Sequence, residues 1–171
     1  MTDAVDSPAE TVWAGKYISV CKRGRWEYVS RTGGTTAVVV LAEHDGQVIL
    51  VEQYRVPVGG RCLELPAGLV GDEDEHATIE GTAVKELEEE TGFTADRVER
   101  LGQFHSSPGM VAESFTLVRA HGVRKVGEGG GNEHEDIAVH LVARDDIAEF
   151  VRKRRDAGTA IDVKLLLFLD F

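Results

Sequence analysis

A chain of 171 residues, 42% hydrophobic and 29% charged, holds enough apolar material for one core and, by its length, one domain with at most a small appendage. Its formal net charge of −11 argues against broad nucleic-acid binding, which draws on clustered Lys and Arg, but leaves a small phosphorylated ligand open, because cations held by carboxylates invert the field locally. Two cysteines without metal-site spacing (Cys21 and Cys62), no secretory signal at the N-terminus and no apolar run near the roughly 20 residues of a bilayer span give a cytoplasmic protein without membrane insertion as the expectation.

In chain order, residues 1–10 are small, acidic and polar and read as a disordered leader. Residues 11–22 and 25–31 mix β-branched and aromatic side chains around Gly24 and predict a hairpin, so 11–33 form an N-terminal β segment and 34–171 the main domain. Val- and Ile-rich runs at 35–42 and 47–54 are predicted strands, joined by the turn sequence His44-Asp45-Gly46. Residues 74–90 hold one helix, with Ile79, Ala83 and Leu87 at helical spacing, Gly92 as its stop, and Gly81 weakening its middle by about 1 kcal/mol relative to Ala. Short strands are predicted at 98–104, 114–121 and 137–142, then helices at 145–155 and 161–169. Between them, Gly127-Glu128-Gly129-Gly130-Gly131-Asn132 reads as the most flexible stretch outside the leader.

On the predicted helix Glu86, Glu89 and Glu90 share one side, while Glu88 points elsewhere. Like charges at that spacing repel unless a cation sits among them, and magnesium, a hard ion with oxygen ligands, meets that need. Alone, such a run is ordinarily a solvated face. It stands, however, with Val51-Glu52-Gln53-Tyr54-Arg55, Glu64-Leu65-Pro66-Ala67-Gly68, Ser107-Pro108-Gly109 and Asn132-Glu133-His134-Glu135-Asp136.

Lys85-Glu86-Leu87-Glu88-Glu89-Glu90-Thr91-Gly92-Phe93 resembles the second half of the Nudix box. Counting back places Gly71 at the box glycine, Ala77 where the family has Glu, and Lys85 where it has Arg. Anchored instead on Gly68, the box carries an insertion in the loop 69–76, and Glu73 or Glu75 stands in for the missing carboxylate. Lys85 offers a point charge without the planar fork of Arg.

The motifs over 35–142 resemble the ADP-ribose pyrophosphatases and related nucleoside-diphosphate-sugar hydrolases. The resemblance implies an α/β fold, the Nudix α/β/α sandwich with a mixed β-sheet, preceded by an N-terminal antiparallel β segment that pairs two chains into a homodimer. It implies metal binding by the Ala67 carbonyl with Glu86 and Glu90, assisted by Glu89, for Mg2+ with Mn2+ as a substitute. Arg55 would grip the diphosphate, Glu64, Glu113 and Trp26 would contact substrate, and Glu133 or Glu135 would act as the catalytic base on a Gly-rich arm that opens and closes. The implied reaction is hydrolysis of a nucleoside diphosphate sugar, ADP-ribose giving AMP and ribose 5-phosphate. GDP-mannose or another nucleotide sugar stays open as substrate, and so does a catalytically weak ligand sensor, given Ala77 and Lys85. His105, His121, His134 and His140 show no ligand spacing and read as structural or solvated.

Overall fold

A computed structural model describes residues 7–71, 76–132 and 135–169. Most of the predicted leader, with Glu73, Glu75, Glu133 and His134, lies outside the described residues. Three strands, β1 (Glu10–Ala14), β2 (Ile18–Arg23) and β3 (Trp26–Arg31), form an N-terminal antiparallel sheet in sequential order. The prediction of one hairpin was too coarse here. Residues 15–17 break the first run, where the Gly15 amide bonds the Ile18 carbonyl at 2.8 Å.

The strands that follow are β4 (Thr36–Leu41), β5 (Glu43–His44), β6 (Gln47–Arg55), β7 (Gly60–Glu64) and β8 (Ala67–Val70). Asp45 and Gly46, at φ 49° and 76°, make the two-residue β5–β6 turn, whose twist needs positive φ at both positions. Helix α1 (Ile79–Thr91) leads through β9 (Phe93–Thr94) to β10 (Arg97–His105), β11 (Ser114–His121) and β12 (Arg124–Lys125). The chain then runs through β13 (Ala138–Ala143), helix α2 (Ile147–Asp156) and β14 (Ala160–Ile161). It closes in a 3-10 turn, Val163–Phe168, rather than the α-helix predicted there.

One mixed sheet has the order β10-β11-β4-β8, with β11 and β4 parallel; a second has β13-β6-β7-β14. Alternation along the strands divides the core. Val38 and Val40 of β4, with Val118 of β11, face Ala83 and Leu87 of α1, whereas Val39 joins Leu50, Leu63, Leu65 and Leu117 against Ile147 and Val151 of α2. The two helices thus flank the paired sheets, the predicted α/β/α sandwich. The N-terminal sheet is tied on by β3: the Val29 amide bonds the Met110 carbonyl at 2.9 Å, and the Ala112 amide bonds the Val29 carbonyl at 2.8 Å.

Candidate active site

Helix α1 starts on Thr78, whose hydroxyl accepts from the Gly81 amide at 3.1 Å, and ends on Gly92 in the left-handed conformation at φ 75°. Leu87 and Ala83 bury one stripe against β4, which turns Glu86 and Glu90 toward the neighbouring strand β8. Glu86 lies over the backbone of Gly68 so closely that a Cβ on residue 68 would overlap its carboxyl group. Glu90, only 4% exposed, accepts a hydrogen bond on Oε2 from the Ala67 amide at 3.1 Å. The atom of Ala67 that touches Glu90 is its N–H, so the carbonyl expected to bind metal is not engaged by this bond.

Burial is the main cause that pushes the Glu90 carboxyl up to about 8. The Ala67 bond opposes it, the neighbouring carboxylates of Glu86 and Glu135 raise it further, and Arg55 lowers it. Glu86, Glu90, Glu135 and Arg55 thus share one electrostatic environment. Arg55 grips Glu64 in a two-pronged pair, Nε to Oε1 at 2.7 Å and Nη2 to Oε2 at 2.8 Å. That hydrogen bond is the leading cause holding the guanidinium above its ordinary value, with Glu90 adding to it.

Glu89 is placed differently. It is exposed on the flank of α1, with Oε2 at 3.8 Å from Lys85 Nζ, so of the three glutamates only Glu86 and Glu90 are turned onto β8. Among the described residues no three His, Cys, Asp or Glu side chains converge into a metal cage. A pair of carboxylates turned onto β8 still fits a hard divalent ion, because magnesium keeps several waters and takes one or two carboxylates plus substrate phosphate oxygens.

The Gly-rich segment, read from composition as the most flexible stretch, is hydrogen-bonded along the C-terminal end of α1. The Val126 and Gly127 amides bond the Gly92 carbonyl at 2.8 and 3.0 Å, the Gly130 amide bonds the Glu90 carbonyl at 2.9 Å, and the Gly131 amide bonds the Glu89 carbonyl at 3.0 Å. These carbonyls are the acceptors that a helix leaves unsatisfied at its C-terminus. Side chains would prevent the fit: a Cβ on Gly129 would overlap Thr91, and one on Gly92 would overlap the Gly127 carbonyl. Beyond this strap, Glu135 Oε2 accepts from the Asn132 amide at 3.0 Å.

Two other predicted contacts lie farther out. Glu113 accepts from Arg31 Nε at the edge of a cavity of about 560 Å³ beyond the first turn of α1, lined also by Thr36, Thr116, Arg100, Gln103 and Ile79. Trp26, 49% exposed, stands at the β2–β3 turn, at the opposite end of β3 from Arg31 and roughly 17 Å along the strand. No helix among the described residues is long and apolar enough to cross a membrane.

Residues 32–161 match the NUDIX domain family. The chain belongs to the NUDIX family. It is 33% identical over 172 residues to an ADP-ribose pyrophosphatase of Bacillus subtilis, an alignment covering 92% of this chain and 89% of the relative. It is 33% identical over 142 residues to a methanol dehydrogenase activator of Bacillus methanolicus, covering 81% of this chain and 74% of the relative. A GDP-mannose pyrophosphatase of Cronobacter sakazakii matches at 31% identity, over 80% of this chain and 72% of that protein. Among solved structures, an ADP compounds hydrolase superposes with a TM-score of 0.71 at 20% identity, covering 94% of this chain and 89% of that one, which speaks for the fold. The chain is a NUDIX hydrolase, and such hydrolases generally use a divalent metal ion.

Sequence reading passed over a second set of charges in this NUDIX domain. The buried carboxylate of Glu52 on β6 meets Arg61 of β7, His140 of β13 and Arg154 of α2. Its signal was a lone Glu at an inward position of a Val- and Ile-rich strand; Arg61 carried none, since only the β6–β7 register of Glu52 against Leu63 brings it near.

Proposed function

We propose that this NUDIX domain hydrolyses the diphosphate of a nucleoside diphosphate sugar, ADP-ribose first among them, with magnesium at the Glu86–Glu90 pair. The observation that carries the reading is that pair itself. One carboxyl, Glu90, is buried, held up to about 8 and within the field of Arg55, and the other, Glu86, lies over a glycine that leaves it room. Such a concentration of negative charge in a low-dielectric place favours a cation. Manganese, with the same oxygen preference, substitutes.

A divalent ion bound there would be held by Glu86 and Glu90, with Glu89 and the Ala67 carbonyl as the further ligands the family resemblance offers, and would supply charge neutralisation on the phosphoryl oxygens. Arg55 binds the diphosphate while Glu64 fixes the plane of its guanidinium. A carboxylate of the segment after the glycine strap, Glu133 or Glu135, takes the proton from the attacking water. The water oxygen forms a bond to phosphorus, the bridging P–O bond breaks, and the second phosphate leaves with the electron pair. ADP-ribose would yield AMP and ribose 5-phosphate.

The cavity beside Glu113 supports a substrate with a group beyond the diphosphate. Ile79 at its wall precedes Glu86 by seven residues on one helix, about 10 Å, which suits a sugar extending from phosphates at the carboxylates. Its polar walls, including Thr36, Thr116 and Gln103, suit hydroxyl groups. The N-terminal sheet exposes Val12, Trp13, Tyr17, Ile18 and Trp26, an apolar surface that a second copy of the chain would cover. Trp26 would then reach the substrate base only across such a dimer. Free, buried Cys21 and Cys62 suit a reducing cytoplasm.

The test is incubation of the pure protein with ADP-ribose, GDP-mannose and other nucleoside diphosphate compounds, with magnesium or with chelator, and identification of products by mass spectrometry. Magnesium-dependent release of a nucleoside monophosphate and a sugar phosphate is expected. Binding of a compound without cleavage of any would replace the enzyme with a ligand sensor.

A further inference from the structure

Arg61 belongs to β7, yet its hydrogen bonds reach Glu52 on one side and Asp136 on the other. Its Nε donates to Glu52 Oε1 at 3.1 Å and its Nη2 to the Glu52 carbonyl at 2.7 Å. The other side of the guanidinium reaches the chain after Glu135: Nη1 donates to Asp136 Oδ2 at 2.9 Å, and Nη2 to the Asp136 carbonyl at 3.3 Å. The Glu52 side chain is 6% exposed, whereas that of Asp136 is 90% exposed. An exposed ion pair by itself contributes little. Here the arginine is already immobilised at its buried end, so gripping Asp136 costs little further side-chain entropy.

Contacts thereby hold the chain before Asn132 and directly after Glu135. Upstream, the Gly130 and Gly131 amides bond the carbonyls of Glu90 and Glu89. Downstream, Arg61 holds Asp136, and the Ile137 amide bonds the Gly130 carbonyl at 3.3 Å. One anchor is the last turn of the helix that presents Glu90; the other is β6, which three residues after Glu52 presents Arg55.

We propose that Arg61, seated on the buried carboxylate of Glu52, is a positioning residue that fixes Glu135, Asp136 and Ile137 relative to the Glu86–Glu90 pair and Arg55. The role rests on the hydrolytic reading above, but the clamp itself is observable without turnover. Arg61→Met keeps most of the aliphatic stem and removes both contacts. Hydrogen exchange at the Glu135 and Ile137 amides is expected to accelerate, while exchange at the amides of Ala83 and Leu87 in α1 stays as in the wild type. In steady-state assays kcat is expected to fall roughly 10- to 100-fold with KM within about threefold, the signature of a misplaced reacting group. Arg154→Met, which also removes a partner of Glu52 but touches nothing near Asp136, should leave both readouts near wild type.

Arg61→Met leaves Glu52 short of a partner and could fail to fold. Asp136→Ala leaves the buried pair intact, and the same two readouts should then move in the same direction by about threefold or more. Unchanged exchange at Glu135 and Ile137 in a folded variant overturns the clamp. A loss confined to KM, or one matched by Arg154→Met, overturns the positioning role. Absence of turnover in the wild type refutes the hydrolytic reading alone, and the exchange arm still decides the clamp.

Discussion

Replacing Glu90 by glutamine tests the electrostatics of the site without touching its shape. In the metal-free protein burial holds this carboxyl up to about 8 against an ordinary value of 4.5. The folded chain therefore keeps a proton that the unfolded chain releases, so stability is lost as pH rises through this interval and no more is lost above it. The slope is about 1.4 kcal/mol per pH unit, and the whole interval amounts to about 5 kcal/mol. The glutamine side chain is neutral at every pH and lacks the slope. Between about pH 6 and about pH 9 the variant should gain about 3 kcal/mol on the wild type, roughly 6–12 °C in Tm for a chain of this size. Thermal denaturation followed by circular dichroism in chelator, across that pH range, measures it. Saturating magnesium should restore the wild type at the alkaline end and leave Glu90→Gln unmoved. Parallel pH profiles for the two proteins would refute the argument that Glu90 is a buried acid awaiting a cation.

Gly68→Ala should expel the Glu86 carboxyl from its place on β8, because the new methyl overlaps it. Magnesium-dependent turnover is expected to fall about 100-fold in steady-state assays while circular dichroism stays native. Arg55→Lys removes one prong of the pair with Glu64. It should raise KM by about tenfold, a loss of about 1.4 kcal/mol in binding read from initial rates over a substrate series.

The sequence made the helix and its glutamates legible because α1 is local: Ile79, Ala83 and Leu87 repeat at its period, and Gly92 stops it in the left-handed conformation that a glycine readily takes. Pairing Glu86 and Glu90 while setting Glu89 aside was not legible, since it depends on where β8 runs. The packing of glycines 127–131 was not legible for a related reason. Freedom from a Cβ serves a flexible linker and a close backbone approach alike, and only the fold shows that Thr91 and Gly92 fill the space. The Glu52–Arg61–Asp136 contacts join β6, β7 and the entry to β13, a coincidence of registers that no local pattern announces. The three-stranded N-terminal sheet was read as two strands because residues 11–22 carry strand-forming side chains on both sides of the Gly15 turn.

The two ends of α1 divide stability from chemistry, and this bears on Ala77. That residue precedes the cap Thr78 and lies outside the helix, so the entry of α1 is set by others. Thr78 receives the Gly81 amide, and Glu80 takes a two-pronged bond from Arg100 of β10, Nε at 2.6 Å and Nη2 at 2.9 Å. The strap of amides from Val126 to Gly131 fixes the other end, one turn from Glu86. Thr78→Ala should therefore cost about 1 kcal/mol of stability in urea denaturation, the usual loss of an N-cap hydroxyl, with kcat within about twofold of wild type. Ala77→Glu should leave kcat equally unmoved. If either substitution changed kcat about tenfold in a folded protein, the entry of the helix would be coupled to the Glu86–Glu90 pair, and the absence of a box glutamate at Ala77 would limit the rate of this enzyme.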